Sequence, residues 1–177
     1  KHTLPPGPGE ALWPAIVYME SMGVEAAGFN CGGSLADADV LTKTMASYAS
    51  IPLLVQPNAG LPVVENGKTF FKVKPDEFAA AQAENFKTGA LILGGCCGTT
   101  PEHMSAMIRL CRDIPARTAA DKGITMVSSY THAVRIGEEP LIVGERINPT
   151  GKKRFKEALK NDEISYILGE GIAQQDA

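Results

Sequence analysis

The sequence has no apolar run approaching the roughly 18 residues that a membrane-spanning helix needs, and no extended run of lysine and arginine. The first absence argues against an integral membrane protein. The second, with a formal net charge of −3, argues against a nucleic-acid groove or an anionic membrane surface as partner. The opening Lys1-His2-Thr3-Leu4-Pro5-Pro6-Gly7 lacks the apolar centre of a signal peptide, so the cytoplasm is the expected compartment. Cysteine is also scarce, at four in 177 residues. In a reducing compartment so few cysteines serve as ligands, nucleophiles or core residues rather than as a disulfide framework. Disorder is excluded as well, because 44% apolar and 21% charged residues are ordinary for a chain with a real core. A small or uncharged ligand is the partner these absences leave.

What is present concentrates in Ala90-Leu91-Ile92-Leu93-Gly94-Gly95-Cys96-Cys97-Gly98-Thr99-Thr100-Pro101-Glu102-His103. The apolar run 90–93 reads as a short strand covered on both faces, and Thr100, Pro101 and Glu102 read as an N-cap, an N1 proline and an early acid. The paired cysteines therefore fall at the carboxyl end of a strand, where α/β folds gather their sites. Neighbouring side chains of extended backbone point apart, but a glycine-flanked turn lifts that alternation and lets both sulfurs face one point. A soft divalent metal, zinc above all, is what two thiolates share. The competing reading is a pair of buried thiols used as small apolar residues. A phosphate cradled by Gly94, Gly95 and Gly98 at the helix start is disfavoured, since thiolates repel an anion and the turn has no lysine.

Along the chain, the proline- and glycine-rich segment to Gly9 reads as a loop. Leu12, Ala15, Ile16, Met19 and Met22 recur at helical spacing until Gly23 stops them. Residues 24–29 read as a strand ending in Asn30-Cys31-Gly32-Gly33, and Ser34 with Asp37 predicts a capping box opening a helix to about Ser50. A further short strand over 52–57 ends in Asn58-Ala59-Gly60, and Asn66-Gly67 marks a hairpin turn. Pro75 opens a helix to about Thr88. In the helix after the double cysteine, Met104, Met107, Ile108 and Cys111 share one face, which makes Cys111 a core residue. His103 is expected at the surface or behind the metal ligands, and His2 and His132 fall in segments too irregular to assign. Residues 124–134 read as an edge or hairpin strand within a linker. Leu141-Ile142-Val143-Gly144 then restarts the buried-strand pattern, with helices through Lys160 and from about Glu163.

Strands ending near 30, 57 and 95, each followed by a helix, predict part of a parallel (β/α) barrel with its functional groups on the C-terminal face. Cys31, Cys96 and Cys97 supply three thiolates from two strand ends. Three protein ligands leave a fourth position open, the mark of a catalytic rather than a structural zinc. Such an electron-rich set is a weak activator of water but a good host for another soft sulfur, whose pKa falls on binding. The residues alone thus point to thiol alkylation.

Gly28-Phe29-Asn30-Cys31-Gly32, Gln56-Pro57-Asn58-Ala59-Gly60 and Gly94-Gly95-Cys96-Cys97-Gly98-Thr99-Thr100-Pro101 resemble, in that order, motifs of the homocysteine S-methyltransferase family. Leu141 to Gly151 resembles the first strand of the pterin-binding domain that follows in the cobalamin-dependent members, and so sets the chain apart from the betaine- and S-methylmethionine-using ones. The resemblance implies an α/β fold: the last three strands of a (β/α)8 TIM barrel, a linker, and the first β/α unit of a second barrel. The implied segments are 1–113 for the zinc and homocysteine barrel, 114–140 for the linker and 141–177 for the start of the pterin barrel. It further implies zinc on Cys31, Cys96 and Cys97, homocysteine sulfur at the open site, Asn30 beside the substrate, and Asn58 near enough to touch the metal when substrate is absent. Glu145 and Asn148 would border the pterin pocket. The thiolate would take a methyl group from methylcobalamin, held by a cobalamin domain outside this chain, and methyltetrahydrofolate would remethylate the cobalamin.

A full barrel needs about 250 residues, so the chain reads as the junction of two domains, inactive by itself. The alternative is a non-catalytic module that self-associates to cover its sheet edges, its cysteines buried or redox-active.

Overall fold

Ser34 and Asp37 close the expected capping box: the serine hydroxyl accepts from the Asp37 N–H, and the aspartate accepts from the Ser34 N–H at 2.8 Å. The helix that follows is α2, Leu35–Tyr48. A computed structural model describes residues 12–129, 132–137 and 139–176; the expected opening loop and His2 lie outside them. Before α2 come α1, Leu12–Ser21, and β1, Ala27–Asn30. After it come β2, Leu53–Gln56, the hairpin strands β3, Pro62–Glu65, and β4, Lys68–Phe71, then α3, Pro75–Thr88. β5, Ala90–Leu93, and α4, Pro101–Cys111, carry the chain past the paired cysteines, and β6, Thr125–Ser128, pairs antiparallel with β7, Ala133–Ile136. α5, Lys153–Lys160, and α6, Ile164–Gln175, end the chain.

Two compact units result, Lys1–Ile136 and Gly137–Ala177. The first is a mixed α/β unit built on a parallel three-stranded sheet in the order β1-β2-β5. Helices α1 to α4 pack side by side in chain order, as β-α-β crossovers between parallel neighbouring strands place them. Ile16, Met45, Ala49 and Leu53 form one apolar cluster with Ala27, and Phe78, Ala79, Ala106 and Met107 form a second. Gln82, fully buried on α3, donates to the carbonyls of Val55 and Gly94 and so ties β2 to the turn after β5. The β6–β7 hairpin packs along α1, so it belongs to the first unit.

Four expectations change. Strand pairing starts at Ala27 rather than Val24, because β2 offers its first partner at Leu53; Val24 instead packs on the first cluster. The run 90–93 is covered on one face only, leaving Ile92 42% exposed, since the helices sit on a single side of the three strands. Ile108 points to solvent because His103, Ala106 and Met107 take the buried face of α4, while Cys111 packs against the core as expected. The apolar stretch 141–144 forms no strand: it pairs with nothing among the described residues, and Ile142 is 92% exposed. A strand needs a neighbour for its ladder, and among the described residues the second unit supplies only helices.

Candidate metal centre

Three loops meet at the carboxyl end of the sheet, and backbone bonds lace them together. The Cys31 N–H donates to Gln56 O at 3.0 Å, the Cys96 N–H to Pro57 O at 2.9 Å, and the Ala59 N–H to Cys97 O at 2.9 Å. Cys31 leaves β1 in the left-handed region, at φ 62°, where an L-residue is strained, and Gly32 and Gly33 continue with positive φ. That reversal turns the Cys31 side chain toward the loop after β5. On the other side Gly98, at φ 76°, lies against Phe71 of the β3–β4 hairpin; a Cβ there would stand 2.1 Å from the ring's Cγ. Only glycine lets the hairpin close over the turn.

The three sulfurs converge as the sequence predicts. Sγ of Cys31 lies 2.8 Å from that of Cys96 and 3.8 Å from that of Cys97, and the adjacent pair is 3.8 Å apart. Zn–S bonds of about 2.3 Å in a tetrahedron separate sulfurs by about 3.8 Å. Two edges of the triangle match that spacing, and the third is about 1 Å short of it. The donor set therefore fits a soft cation such as zinc in its chemistry and in two of its three spacings, and the Cys31–Cys96 edge would have to open by about 1 Å. No other group of three histidine, cysteine or acidic side chains converges in this way among the described residues. Cys97 is exposed and the other two are half-buried, so the cluster has an open side.

Its protons are unequally shared. The Cys31 thiol is pushed up to about 11, first by its hydrogen bond to Cys96 and then by burial. Cys96 is held below the ordinary thiol value, chiefly by that same bond, with further contributions from Cys97 and the Asn30 amide. The contact between them thus favours the proton on Cys31 over Cys96.

The two asparagines reach the cluster from different sides. Asn30 Nδ2 donates to Cys96 Sγ at 3.6 Å, and Asn58 Oδ1 accepts from the Cys97 N–H at 3.1 Å. Glu145 and Asn148 lie in the second unit. There Glu145 takes Lys152 Nζ at 3.0 Å, and Asn148 Oδ1 accepts from the Thr150 N–H at 2.9 Å. His103, expected at the surface or behind the metal ligands, is buried: Nδ1 accepts from the Thr100 N–H, leaving Nε2 to donate to Val73 O. It joins the start of α4 to the segment after the hairpin. Sequence reasoning also missed Gln82, whose signal is a long polar residue one turn after Phe78 in the run Ala79-Ala80-Ala81-Gln82-Ala83.

Comparison with known proteins agrees with this geometry. The sequence profile described as homocysteine S-methyltransferase matches residues 7–111, which contain Cys31, Cys96 and Cys97. Methionine synthase of Mycobacterium leprae is 35% identical over 168 residues, covering 90% of this chain, and that of Mycobacterium tuberculosis is 33% identical over 163 residues, again covering 90%. The likeness thus runs beyond the profile match into the residues after 111. The chain spans 14% of the length of these curated relatives. With the profile covering more than half of its residues and the sulfurs of Cys31, Cys96 and Cys97 within 4.8 Å of one another, this chain belongs to the homocysteine S-methyltransferase family.

Proposed function

We propose that the chain carries the thiol-activating site of a cobalamin-dependent methionine synthase, with Cys31, Cys96 and Cys97 as protein ligands of one zinc ion and homocysteine as the substrate. The observation that carries this reading is the convergence of three sulfurs from two strand ends on one point, with an open side at Cys97. Bound zinc supplies a soft cation that keeps a substrate thiol deprotonated and nucleophilic near neutral pH. The chain's own residues prepare that chemistry. The left-handed Cys31 aims one sulfur across the sheet, and the laced turn presents the other two. Asn30 withdraws charge from Cys96 through its amide N–H and stands with Asn58 where polar groups of the substrate would need partners.

In the full reaction a methyl group passes to the homocysteine sulfur, giving methionine. The donor in this reading is methylcobalamin, bound by a domain outside this chain and remethylated by methyltetrahydrofolate. The three parallel strands stand as the last of a TIM barrel, 114–140 as a linker, and 141–177 as the opening of a pterin-binding barrel with Glu145 and Asn148 at its pocket. The compartment is the cytoplasm, and the isolated chain binds metal without turning over.

Metal analysis tests the site: about one zinc per chain is expected, lost in a Cys96→Ser, Cys97→Ser double variant. Full retention of metal in that variant would overturn the reading. Homocysteine-dependent demethylation of free methylcobalamin, followed by absorbance, tests the reaction in a longer chain that includes the rest of the barrel. The open sheet face at Ile92 favours a second reading, self-association of this chain. A dimer by size-exclusion mass, with thiols equally reactive with and without chelator, would support it instead.

A further inference from the structure

The peptide joining Cys96 to Cys97 decides where both sulfurs point, because its tilt sets the direction in which each Cβ leaves the chain. Three consecutive contacts hold this turn against residues 57–59. The Cys96 N–H donates to Pro57 O and the Ala59 N–H to Cys97 O, both at 2.9 Å, and the Cys97 N–H donates to Asn58 Oδ1 at 3.1 Å. The outer two are backbone bonds that any sequence could make. The middle one depends on a side chain, and it grips the N–H of the very peptide that joins the two cysteines. Asn58 is itself 9% exposed and flanked by the buried Pro57 and Ala59, so its amide has little freedom to leave.

We propose that Asn58 is a positioning residue for the third thiolate: its carbonyl oxygen holds the Cys96–Cys97 peptide in the one orientation that presents both sulfurs to Cys31. This rests on the metal-site reading above and assigns Asn58 a task distinct from contacting metal or substrate. With the oxygen removed, the Cys97 N–H loses its acceptor and the peptide is free to rotate. Cys97, the most exposed of the three cysteines, then swings toward solvent while Cys31 and Cys96 remain paired.

Cobalt(II) added to the 177-residue chain separates the possibilities. Sulfur-to-cobalt charge-transfer absorbance grows with the number of bound thiolates, and the visible ligand-field bands report the remaining ligands. The unsubstituted chain is expected to show three-thiolate intensity. Asn58→Ala should lose about a third of that intensity and bind cobalt about 10- to 100-fold more weakly, the range for loss of a ligand-orienting partner. Asn58→Asp keeps the acceptor oxygen and should keep the three-thiolate intensity, so it tests the idea even if Asn58→Ala folds poorly. Full intensity and unchanged affinity in Asn58→Ala, or a lost third in Asn58→Asp, overturns the positioning role while leaving the metal site standing. Full intensity with altered ligand-field bands in Asn58→Ala makes Asn58 a ligand and also overturns it. An unsubstituted chain that takes up no cobalt overturns the metal site and this role together.

Discussion

The two units of this chain are held by different forces. In the first, Phe78, Ile16, Met45 and Val55 are almost wholly buried, and polar groups such as Gln82 enter the interior with partners in place. In the second, only Phe155 and Ala158 are buried among the described residues, and the helices are clasped by ion pairs instead. Arg154 grips Glu163 from both guanidinium nitrogens and lies 4.5 Å from the Tyr166 ring centre, and Arg146 Nε reaches Glu170 at 2.9 Å. Apolar burial is proportional to area and insensitive to salt, whereas exposed pairs are weak and screened. The difference explains why the three-sulfur cluster is assembled in the first unit: strained backbone at Cys31 and a crowded turn at Gly98 persist only where the surrounding packing holds them.

The largest test of that contrast truncates the central aromatic residue of each unit. Phe78→Ala should destabilise the first unit by about 3–5 kcal/mol, the range for emptying a packed aromatic site. Phe155→Ala should melt α5 and α6 outright, because almost nothing else in that unit is buried, and leave the first unit's unfolding transition in place. Amide exchange resolved by segment checks both. Undiminished protection of α5 and α6 in Phe155→Ala would show that the ion pairs suffice without the core.

A smaller effect separates backbone strain from crowding. Gly98 and Gly67 both have positive φ, but only Gly98 faces a neighbour, the Phe71 ring; around Gly67 a Cβ meets nothing within 4 Å. Gly67→Ala should therefore cost only the left-handed backbone term, about 1–2 kcal/mol, and leave cobalt uptake unchanged. Gly98→Ala adds the collision with Phe71 and should impair cobalt uptake as well. Equal stability loss and equal uptake in the two variants would mean that the hairpin does not brace the cysteine turn.

Features that depend on neighbours in sequence were legible from sequence. The Ser34–Asp37 box, the two-residue turn at Asn66-Gly67 and the proline starts of α3 and α4 all involve residues within three positions of each other. The convergence of Cys31 on Cys96 and Cys97 was legible for another reason, since parallel strands followed by helices bring their carboxyl ends to one side of the sheet. What failed depends on partners elsewhere in the chain. Residues 141–144 have a strand's composition but no ladder, Ile92 has a buried strand's composition but an open face, and the burial of His103 depends on Val73 O, thirty residues away.

The smallest effect, and the sharpest on the second unit, is its response to acid. Arg154 holds the Glu163 carboxyl below its ordinary value of 4.5, and Arg146 does the same for Glu170, in each case chiefly by hydrogen bonding. A carboxylate whose folded pKa is depressed adds stability that is fully present above its unfolded pKa and fades as pH falls toward the folded one. The α5–α6 pair should therefore lose order as pH drops below about 4.5, and added salt should weaken it at neutral pH. In the first unit Asp37 and Glu102 are lowered too, by the helix-start partners Ser34 and Thr100. Their helices also bury apolar faces, so α2 and α4 should outlast α5 and α6 in the same titration. Glu163→Gln removes one of the two acid-sensitive clasps and should flatten the second unit's pH dependence while lowering its stability at pH 7. Segment-resolved amide spectra across the titration check this, and simultaneous loss of all four helices at one pH would show that ion pairing does not set the second unit apart.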